Sequence, residues 1–167
     1  MPRLQPKDRA KFVAYVRDAE HCTENLAFLL DNLGDNCVLD GSVASLESAE
    51  ALFWKHADGG IPRELSSAEQ FAGLLGQYLG RCVIEQTSGA WVQSADNNPM
   101  FGQPCLDGFG GEKWDRIYPV EVARRLRNLP RTKPDFPGVR ERRVFATLLE
   151  KAIRLHQRAN KSEPQQE

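Results

Sequence analysis

Three histidines and four cysteines are the residues of this 167-residue sequence best suited to catalysis or metal binding. Histidine can act as a general base or a metal ligand, and a cysteine thiolate can act as a nucleophile or a metal ligand. No Ser or Cys nucleophile motif accompanies any histidine, and the sequence contains neither H-E-x-x-H nor C-x-x-C. These spacings favour a non-enzymatic protein with no cofactor and no metal.

Each histidine is explained by its place on a predicted helix. His21 falls on the polar face of the first helix, about 180° from Phe12, which predicts an exposed side chain. His56 ends a short helix, where a positive charge complements the helix dipole. His156 shares an arc of the final helix with Phe145, so we expect it to pack against the core, with a catalytic base as the alternative.

The cysteines are widely spaced and form no pair in the sequence. They are Cys22, Cys37, Cys82 and Cys105. Together with an N-terminus that lacks a secretory signal, this spacing is typical of a cytoplasmic protein with reduced thiols. Cys82 stands in an apolar run and is expected in the core. No stretch approaches the ~20 apolar residues that a bilayer span requires, so no membrane association is expected.

Aromatic and polar residues in the predicted strand region are the best candidates for a binding surface. Amphipathic aromatic side chains beside convergent polar groups mark many recognition sites, although most tryptophans in such positions belong to the core. The candidates are Trp91, Asn97, Asn98, Asp107, Trp114, Asp115 and Tyr118. We expect them to contact a protein partner.

Charge is divided unequally along the chain. Residues 1–111 contain 8 Lys and Arg against 15 Asp and Glu, whereas residues 112–167 contain 14 against 8. The net charge of −1 therefore combines −7 and +6, and we favour mutual attraction of the two halves within one fold. The alternative is a nucleic-acid interface on the final helix. That helix presents Arg140, Arg143, Lys151, Arg154 and Arg158 on one side.

Hydrophobic periodicity predicts three helices in the first half of the chain. They cover Asp8 to Leu33, Leu46 to Ala57 with Ser45 as the N-cap, and Ser67 to Gly80. The third helix carries Gly73, Gly76 and Gly80 opposite its apolar face, and each interior glycine costs on the order of 1 kcal/mol relative to alanine. We therefore expect a close backbone neighbour on that face, and a central helix packed on two sides.

Strand-like sequence follows the third helix. Arg81–Thr87 is rich in β-branched residues and is predicted to pair with Ala90–Gln93 through a left-handed Gly89, which places Ile84 opposite Val92. Residues 94–111 are rich in Gly, Pro, Asn and Asp, which indicates loops with short strand segments. The remaining predicted elements are a strand over Lys113–Tyr118, a helix that begins at Pro119, and a final helix over Val139–Ala159.

These elements predict an α+β fold in which several helices pack against a small antiparallel β-sheet. A length of 167 residues is typical of one domain. The sequence indicates a single α+β domain over residues 1–160 and a flexible polar tail over residues 161–167.

Three short passages give the sequence a resemblance to a known group of domains. They are Leu75-Gly76-Gln77-Tyr78-Leu79-Gly80, then Gly89-Ala90-Trp91, then Tyr118-Pro119-Val120-Glu121-Val122-Ala123-Arg124-Arg125-Leu126. Their order over residues 67–127 resembles bacterial domains of unknown function with a helix, L-G-x-Y-L-G, strand, G-x-W pattern. The resemblance implies a helix packed on a small antiparallel sheet and supplies no catalytic residues. Some small proteins of this kind are similar to immunity or accessory factors of toxin systems.

The expected function is therefore that of a non-enzymatic bacterial binding protein, an immunity or accessory factor that acts through a protein partner. Two alternatives stay open. The first is an enzyme whose site combines His156 or Asp115 with Trp114 and the loop at residues 96–111. The second is nucleic-acid binding through the Arg-rich final helix.

Overall fold

The computed structural model describes residues 4–59, 68–95, 99–110, 112, 115–127 and 141–162. Within these ranges the chain forms six helices and two strands. The elements are α1 (Pro6–Glu20), α2 (Cys22–Asn32), α3 (Val43–Gly59), α4 (Ala68–Gln86), β1 (Ala90–Gln93), β2 (Pro104–Asp107), α5 (Pro119–Arg127) and α6 (Val144–Ser162). The helices pack against a small antiparallel sheet, which confirms the predicted α+β class.

β1 and β2 form a two-stranded antiparallel sheet in which Trp91 lies opposite Leu106. On the other side of β2, Leu106 exchanges two backbone hydrogen bonds with Ile117, at 2.8 and 3.1 Å. Because Leu106 directs its N–H and C=O toward Ile117, the Trp91–Leu106 pair is a non-hydrogen-bonded pair. The strand predicted over Lys113–Tyr118 is thus reduced, among the described residues, to a bridge at Ile117.

α4 lies at the centre of the fold, where it contacts α1, α2, α3, α5, α6 and β1. Its apolar face is buried at helical spacing, and its glycine-bearing side meets α5 at Gly76 and β1 at Gly80. The fully buried side chains are Phe71, Ala72, Leu75, Tyr78, Leu79, Cys82 and Val83. The prediction of a central helix packed on two sides is confirmed, as is the core position of Cys82.

Two of the three α4 glycines lie directly against other elements. A Cβ on Gly76 would stand 3.1 Å from the carbonyl oxygen of Pro119 in α5, and a Cβ on Gly80 would overlap the indole ring of Trp91. Gly73 has no such neighbour within 4 Å. The expected close backbone neighbour is therefore confirmed at Gly76, whereas Gly80 is covered by a side chain and Gly73 has no close neighbour among the described residues.

The strand predicted over Arg81–Thr87 is wrong because α4 continues through this segment to Gln86. Cys82 and Val83 are buried at helical spacing from the preceding turn. Arg81 also donates a hydrogen bond of 2.7 Å to a carboxylate one turn later, at Glu85. Burial and this i,i+4 ion pair outweigh the modest strand preference of β-branched residues.

The predicted hairpin is wrong for the same reason. Gly80 does not end the helix, since it lies well inside α4. Gly89 lies outside the left-handed region. Val92 pairs with Cys105 of β2 in place of Ile84. The partner strand comes from the segment 94–111, where short strand segments were expected.

The long helix predicted from Asp8 to Leu33 is instead two helices that meet at His21. This residue leaves helical geometry, with φ −102° and ψ 13°, and its side chain is exposed as expected. α1 buries only Ala19, whereas α2 buries Cys22 and three leucines. The break lets α1 lie along the surface while α2 enters the core, and no Gly or Pro marks it in the sequence.

α3 begins at Val43, and its first turn is capped by Ser42 rather than by the predicted Ser45. The backbone N–H of Ser45 donates to Oγ of Ser42 at 3.0 Å. The Ser45 hydroxyl lies 2.6 Å from the Tyr78 hydroxyl, which also accepts the Gly41 N–H at 3.0 Å. Gln86 donates to the Gly41 carbonyl at 2.7 Å, so α4 holds the loop before α3 at two points.

The final helix begins at Val144, after a turn at residues 141–143, and not at the predicted Val139, which lies outside the described residues. Its cap comes from another helix. Glu50 of α3 is 1% exposed and accepts the backbone N–H groups of Val144, Phe145 and Ala146, the last two at 2.9 and 3.1 Å. A carboxylate at this position satisfies amides that have no partner within their own helix.

A second contact between α3 and α6 lies nearer the surface. Arg143, the residue before α6, donates to Glu47 of α3 at 2.7 Å and to Glu150 of α6 at 2.9 Å. These hydrogen bonds raise the pKa of the Arg143 guanidinium above its usual range. Because all three side chains are about one-third exposed or more, the pairs contribute little to stability.

Glu50 gives the fold a definite dependence on pH. Burial raises the pKa of its carboxyl group to about 7, against the effect of its hydrogen-bond donors. The folded chain therefore holds this proton more tightly than the unfolded chain, and the resulting stability is complete below pH 4.5 and lost as pH rises through about 7. Urea unfolding from about pH 5 to pH 8 should show this decline in the wild type and a shallower one in Glu50→Gln. Equal slopes in the two proteins would contradict it, and Glu47→Gln should retain the wild-type slope.

Candidate functional site

The structure describes four of the seven predicted binding residues. Asn97, Asn98 and Trp114 lie outside the described residues. Trp91, Asp107, Asp115 and Tyr118 are described, and each contacts a different set of neighbours. A binding role for any of them stays a prediction, and only Trp91 lines one of the grooves considered below.

Asp107 and Asp115 are engaged in the connections around β2. Asp107 accepts a hydrogen bond of 2.7 Å from Nε of Arg116 and another of 2.7 Å from the N–H of Gly108. Asp115 packs so closely on Gly110 that a Cβ there would overlap its carboxylate. Both carboxylates thus hold the chain where it leaves β2.

Tyr118 lies at the opposite end of the sheet from Asp107. Its hydroxyl is 3.3 Å from Oγ of Ser94, a residue that is almost fully buried just after β1. Tyr118 is itself half-buried and immediately precedes α5. The predicted start of that helix at Pro119 is confirmed. The contact with Ser94 ties this start to the sheet.

Trp91 borders a groove formed by α1, α4 and β1. The groove has a volume of about 390 Å³ and is lined by Val16, Ala19, Glu20, Arg81, Ile84, Glu85 and Trp91, and we call it the Trp91 groove. The indole ring covers Gly80 and meets the Tyr15 ring edge to face, with centroids 5.2 Å apart. Trp91 therefore has a fixed position between α1 and α4, and its ring forms part of the groove wall.

The floor of the Trp91 groove is apolar and partly exposed. Val16 and Ala19 lie on α1, and Ile84 of α4 is 38% exposed. An isoleucine on the solvent side of a helix leaves apolar surface in contact with water. Apolar groups surrounded by polar ones are the usual composition of a recognition surface.

The rim of the Trp91 groove carries an excess of negative charge. Arg81 donates to Glu85 and also to Oγ1 of Thr23, so its charge is matched within the fold. The hydrogen bond to Glu85 raises the pKa of the Arg81 guanidinium. Glu20 has no ion pair or hydrogen bond within the described ranges. The groove therefore suits a ligand that combines an apolar group with a positive charge.

Three residues of the Trp91 groove, Arg81, Ile84 and Glu85, escaped prediction because their segment was assigned to a strand. Ile84 was placed in a strand, where a half-exposed isoleucine is ordinary. Because α4 extends to Gln86, Ile84 lies outside the helix face that buries Leu79 and Val83. If the predicted helix had included Ile84, this residue would have stood out as an aliphatic side chain on the polar side of the helix.

Two further grooves lie elsewhere on the surface. One, of about 560 Å³, runs between the loop after α2 and the first half of α3, and is lined by Val38, Ser42 and Ser48 among others. The other, of about 400 Å³, lies between α1, the segment before β2, and Val120 of α5. The first is lined largely by small and hydroxyl-bearing side chains, and neither contains a predicted binding residue.

His156 forms a small polar cluster with Ser88 and Asn160. Its Nδ1 lies 3.3 Å from Oγ of Ser88 and its Nε2 lies 3.1 Å from Nδ2 of Asn160. The Ser88 hydroxyl also donates to the Gly108 carbonyl at 2.7 Å, and since it has a single proton, that proton is directed away from the imidazole. Nucleophile activation requires the opposite direction, with the serine donating to the imidazole.

The other two histidine positions are also described. His156 is half-buried, and each of its ring nitrogens lies near a polar neighbour. His56 lies near the end of α3, where Nε2 contacts Asp35 at 2.5 Å. Hydrogen bonds from Lys55 and then His56 lower the pKa of the Asp35 carboxyl. These contacts fix the end of α3 to the chain that follows α2.

The basic side of α6 is partly neutralised. Arg140 lies outside the described residues, and Arg143 is paired with Glu47 and Glu150. Lys151, Arg154 and Arg158 are exposed. Nucleic-acid binding through this side of α6 stays a prediction.

The cysteines and acidic residues offer no metal centre in the part of the chain that the structure describes, since no three His, Cys, Asp or Glu side chains are grouped to hold an ion. All four cysteines are free thiols. Burial raises the pKa of Cys82 to about 12, which makes it a poor nucleophile. Among the described helices, none has the length and apolar character needed to cross a membrane.

Known proteins provide no assignment for this arrangement. No family model, no curated protein and no solved structure matches the chain. The strand that the resembling domains place after L-G-x-Y-L-G is helix in this protein, because α4 extends to Gln86. The resemblance of residues 67–127 to a bacterial domain family therefore stays a prediction.

Proposed function

We propose that the chain is a non-enzymatic binding protein that recognises a protein partner through the Trp91 groove. The observation that supports this function is the groove itself, in which the exposed Ile84 and the Trp91 ring form an apolar surface beside Glu20, whose side chain has no partner among the described residues. Aromatic residues held in place before binding lose little conformational entropy when a partner arrives, which is why they serve as anchors.

The setting that we propose is bacterial and cytoplasmic. The resemblance at residues 67–127 supports an immunity or accessory factor, and the scattered cysteines, all free thiols, support a reducing compartment. Binding of this kind needs no reactive group. The direction of the hydrogen bonds at His156 argues against the enzymatic alternative, since it points the serine proton away from the imidazole.

Site-specific photo-cross-linking in the source cells tests the proposal directly. A photoreactive residue at position 84 should capture a protein, whereas the same residue at position 120 should not. Ile84 and Val120 make a matched pair because both are aliphatic helix residues, 38% and 37% exposed. Val120 lies in a different groove.

Binding measurements with the purified cross-linked protein complete the test. Ile84→Lys should weaken binding about tenfold or more, because a charge replaces apolar contact in the groove, while Val120→Lys should bind as the wild type does. The proposal fails if position 84 captures no protein, or if the captured protein binds Ile84→Lys with wild-type affinity.

A further inference from the structure

Among the described residues, β1 pairs with a strand on one side alone, and we call its other side the open edge. Its neighbour β2 lies on one side, and Leu106 of β2 uses its backbone groups for Ile117. Since hydrogen-bonding direction alternates along an antiparallel strand, the N–H and C=O of Trp91 and of Gln93 point away from β2. The N–H of Ser94 does point inward and donates to the Gln103 carbonyl at 2.9 Å, as this alternation requires.

These outward groups have no acceptor or donor elsewhere in the described residues. Neither the backbone of Trp91 nor that of Gln93 makes a hydrogen bond on the side away from β2 within those ranges. An edge strand of this kind is a template for pairing with another chain. Lys, Pro and bulges are among the devices that protect natural edges, and Ala90-Trp91-Val92-Gln93 contains no Lys or Pro and pairs with β2 without a bulge.

The open edge and the Trp91 groove share a residue. In a sheet, side chains of directly paired residues lie on the same face, with Cβ atoms roughly 5 Å apart. A residue paired with Trp91 across the open edge would therefore extend its side chain on the same face of the sheet as the indole ring. That ring lines the groove that also includes the Glu20 side chain.

We propose that β1 accepts an extended segment of the protein partner as an additional strand of the sheet. The segment places an aliphatic side chain in the Trp91 groove and a lysine or arginine against Glu20. This inference rests on the proposed function and specifies how the partner binds. Backbone hydrogen bonds to Trp91 and Gln93 supply affinity, and the groove supplies selectivity for the alternating side chains.

Selection from a random dodecapeptide display library against the full chain provides the probe. Enriched peptides should alternate apolar and polar residues, with a Lys or Arg near one aliphatic position. Bound peptide should slow hydrogen exchange at the amides of Trp91 and Gln93, which exchange quickly in the free chain, whereas the inward amides of Val92 and Ser94 should be protected in both states. Absence of enriched peptides, or unchanged exchange at Trp91 and Gln93, would overturn the inference.

A matched pair of substitutions at position 93 isolates the backbone contact. Gln93→Pro removes an N–H that no described residue accepts, so β1–β2 pairing is retained. Gln93→Ala removes the side-chain bond to the Gly102 carbonyl, of 3.2 Å, and keeps the N–H. Selected peptides should bind Gln93→Ala as they bind the wild type, and should bind Gln93→Pro about tenfold more weakly.

Substitution on the peptide side keeps the test decisive if Gln93→Pro folds poorly. N-methylation of the peptide amides that face β1 should abolish binding, whereas methylation of the intervening amides should not. Another outcome would be peptides that lose binding to Ile84→Lys but bind Gln93→Pro normally and tolerate both methylation patterns. This outcome would support binding in the groove and contradict the addition of a strand to β1. A dimer in sedimentation that Gln93→Pro dissociates would assign the edge to a second copy of this chain, which contradicts the inference.

Discussion

Glu50→Ala is expected to lower the free energy of unfolding by on the order of 3 kcal/mol. The substitution leaves the first-turn amides of α6 and the indole N–H of Trp54, 3.4 Å from the carboxylate, without their acceptor. Loss of a helix cap costs up to about 2 kcal/mol, and each buried donor left unpaired costs about 1–3 kcal/mol more. Urea-induced unfolding followed by circular dichroism measures the difference.

Glu47→Ala is the control for this substitution. Glu47 lies on the same helix one turn earlier and also contacts the start of α6, through Arg143. Its side chain is 46% exposed, so its removal should cost less than about 1 kcal/mol. If the free energy of unfolding falls equally in the two variants, Glu50 does not stabilise the start of α6 as a buried cap.

Gly80→Ala is expected to destabilise the protein by about 1–2 kcal/mol, although alanine is the better helix former. A Cβ at this position overlaps the Trp91 ring, which Tyr15 and the sheet hold in place. Displacing the ring costs about 1–3 kcal/mol as overpacking, which exceeds the ~1 kcal/mol gained in helix propensity. Because Trp91 lines the groove, the same variant should also bind the partner less tightly.

Gly73→Ala is the matched comparison within α4. No atom outside the local helix lies within 4 Å of the added methyl group, so only the propensity gain operates. We expect this variant to be stabilised by about 0.5–1 kcal/mol in the same urea titration. A result in which both alanines stabilise α4 equally would show that Trp91 moves freely and does not fix the groove wall.

The three glycines of α4 illustrate what could be predicted from the sequence. Because glycine has a low helix propensity, their presence indicated close neighbours, and such neighbours lie at Gly76 and Gly80. Helix propensity could not reveal which neighbours they were, because Pro119 and Trp91 come from distant parts of the chain. Local sequence patterns were sufficient to predict the α+β class, the central position of α4 and the start of α5.

Tertiary contacts explain what the sequence did not predict. The segment Arg81–Gln86 has strand-like composition, but burial of Cys82 and Val83 and the Arg81–Glu85 pair favour the helix. β2 lies in a segment whose Pro and Gly content resembles a loop. Three residues of the Trp91 groove lie in the extended part of α4, so they could not be grouped with Trp91 before the end of α4 had been located.

The cap of α6 has a consequence for dissecting the molecule. Its acceptor, Glu50, lies 94 residues before Val144, and Arg143 at the N-cap position has no side-chain acceptor of its own. In a peptide containing α6 alone, the first backbone N–H groups of the helix would therefore have no capping acceptor. Splitting the chain between α5 and α6 would likewise separate the helix from Glu50. Recombining two such fragments would restore the start of α6 only where α3 docks against it.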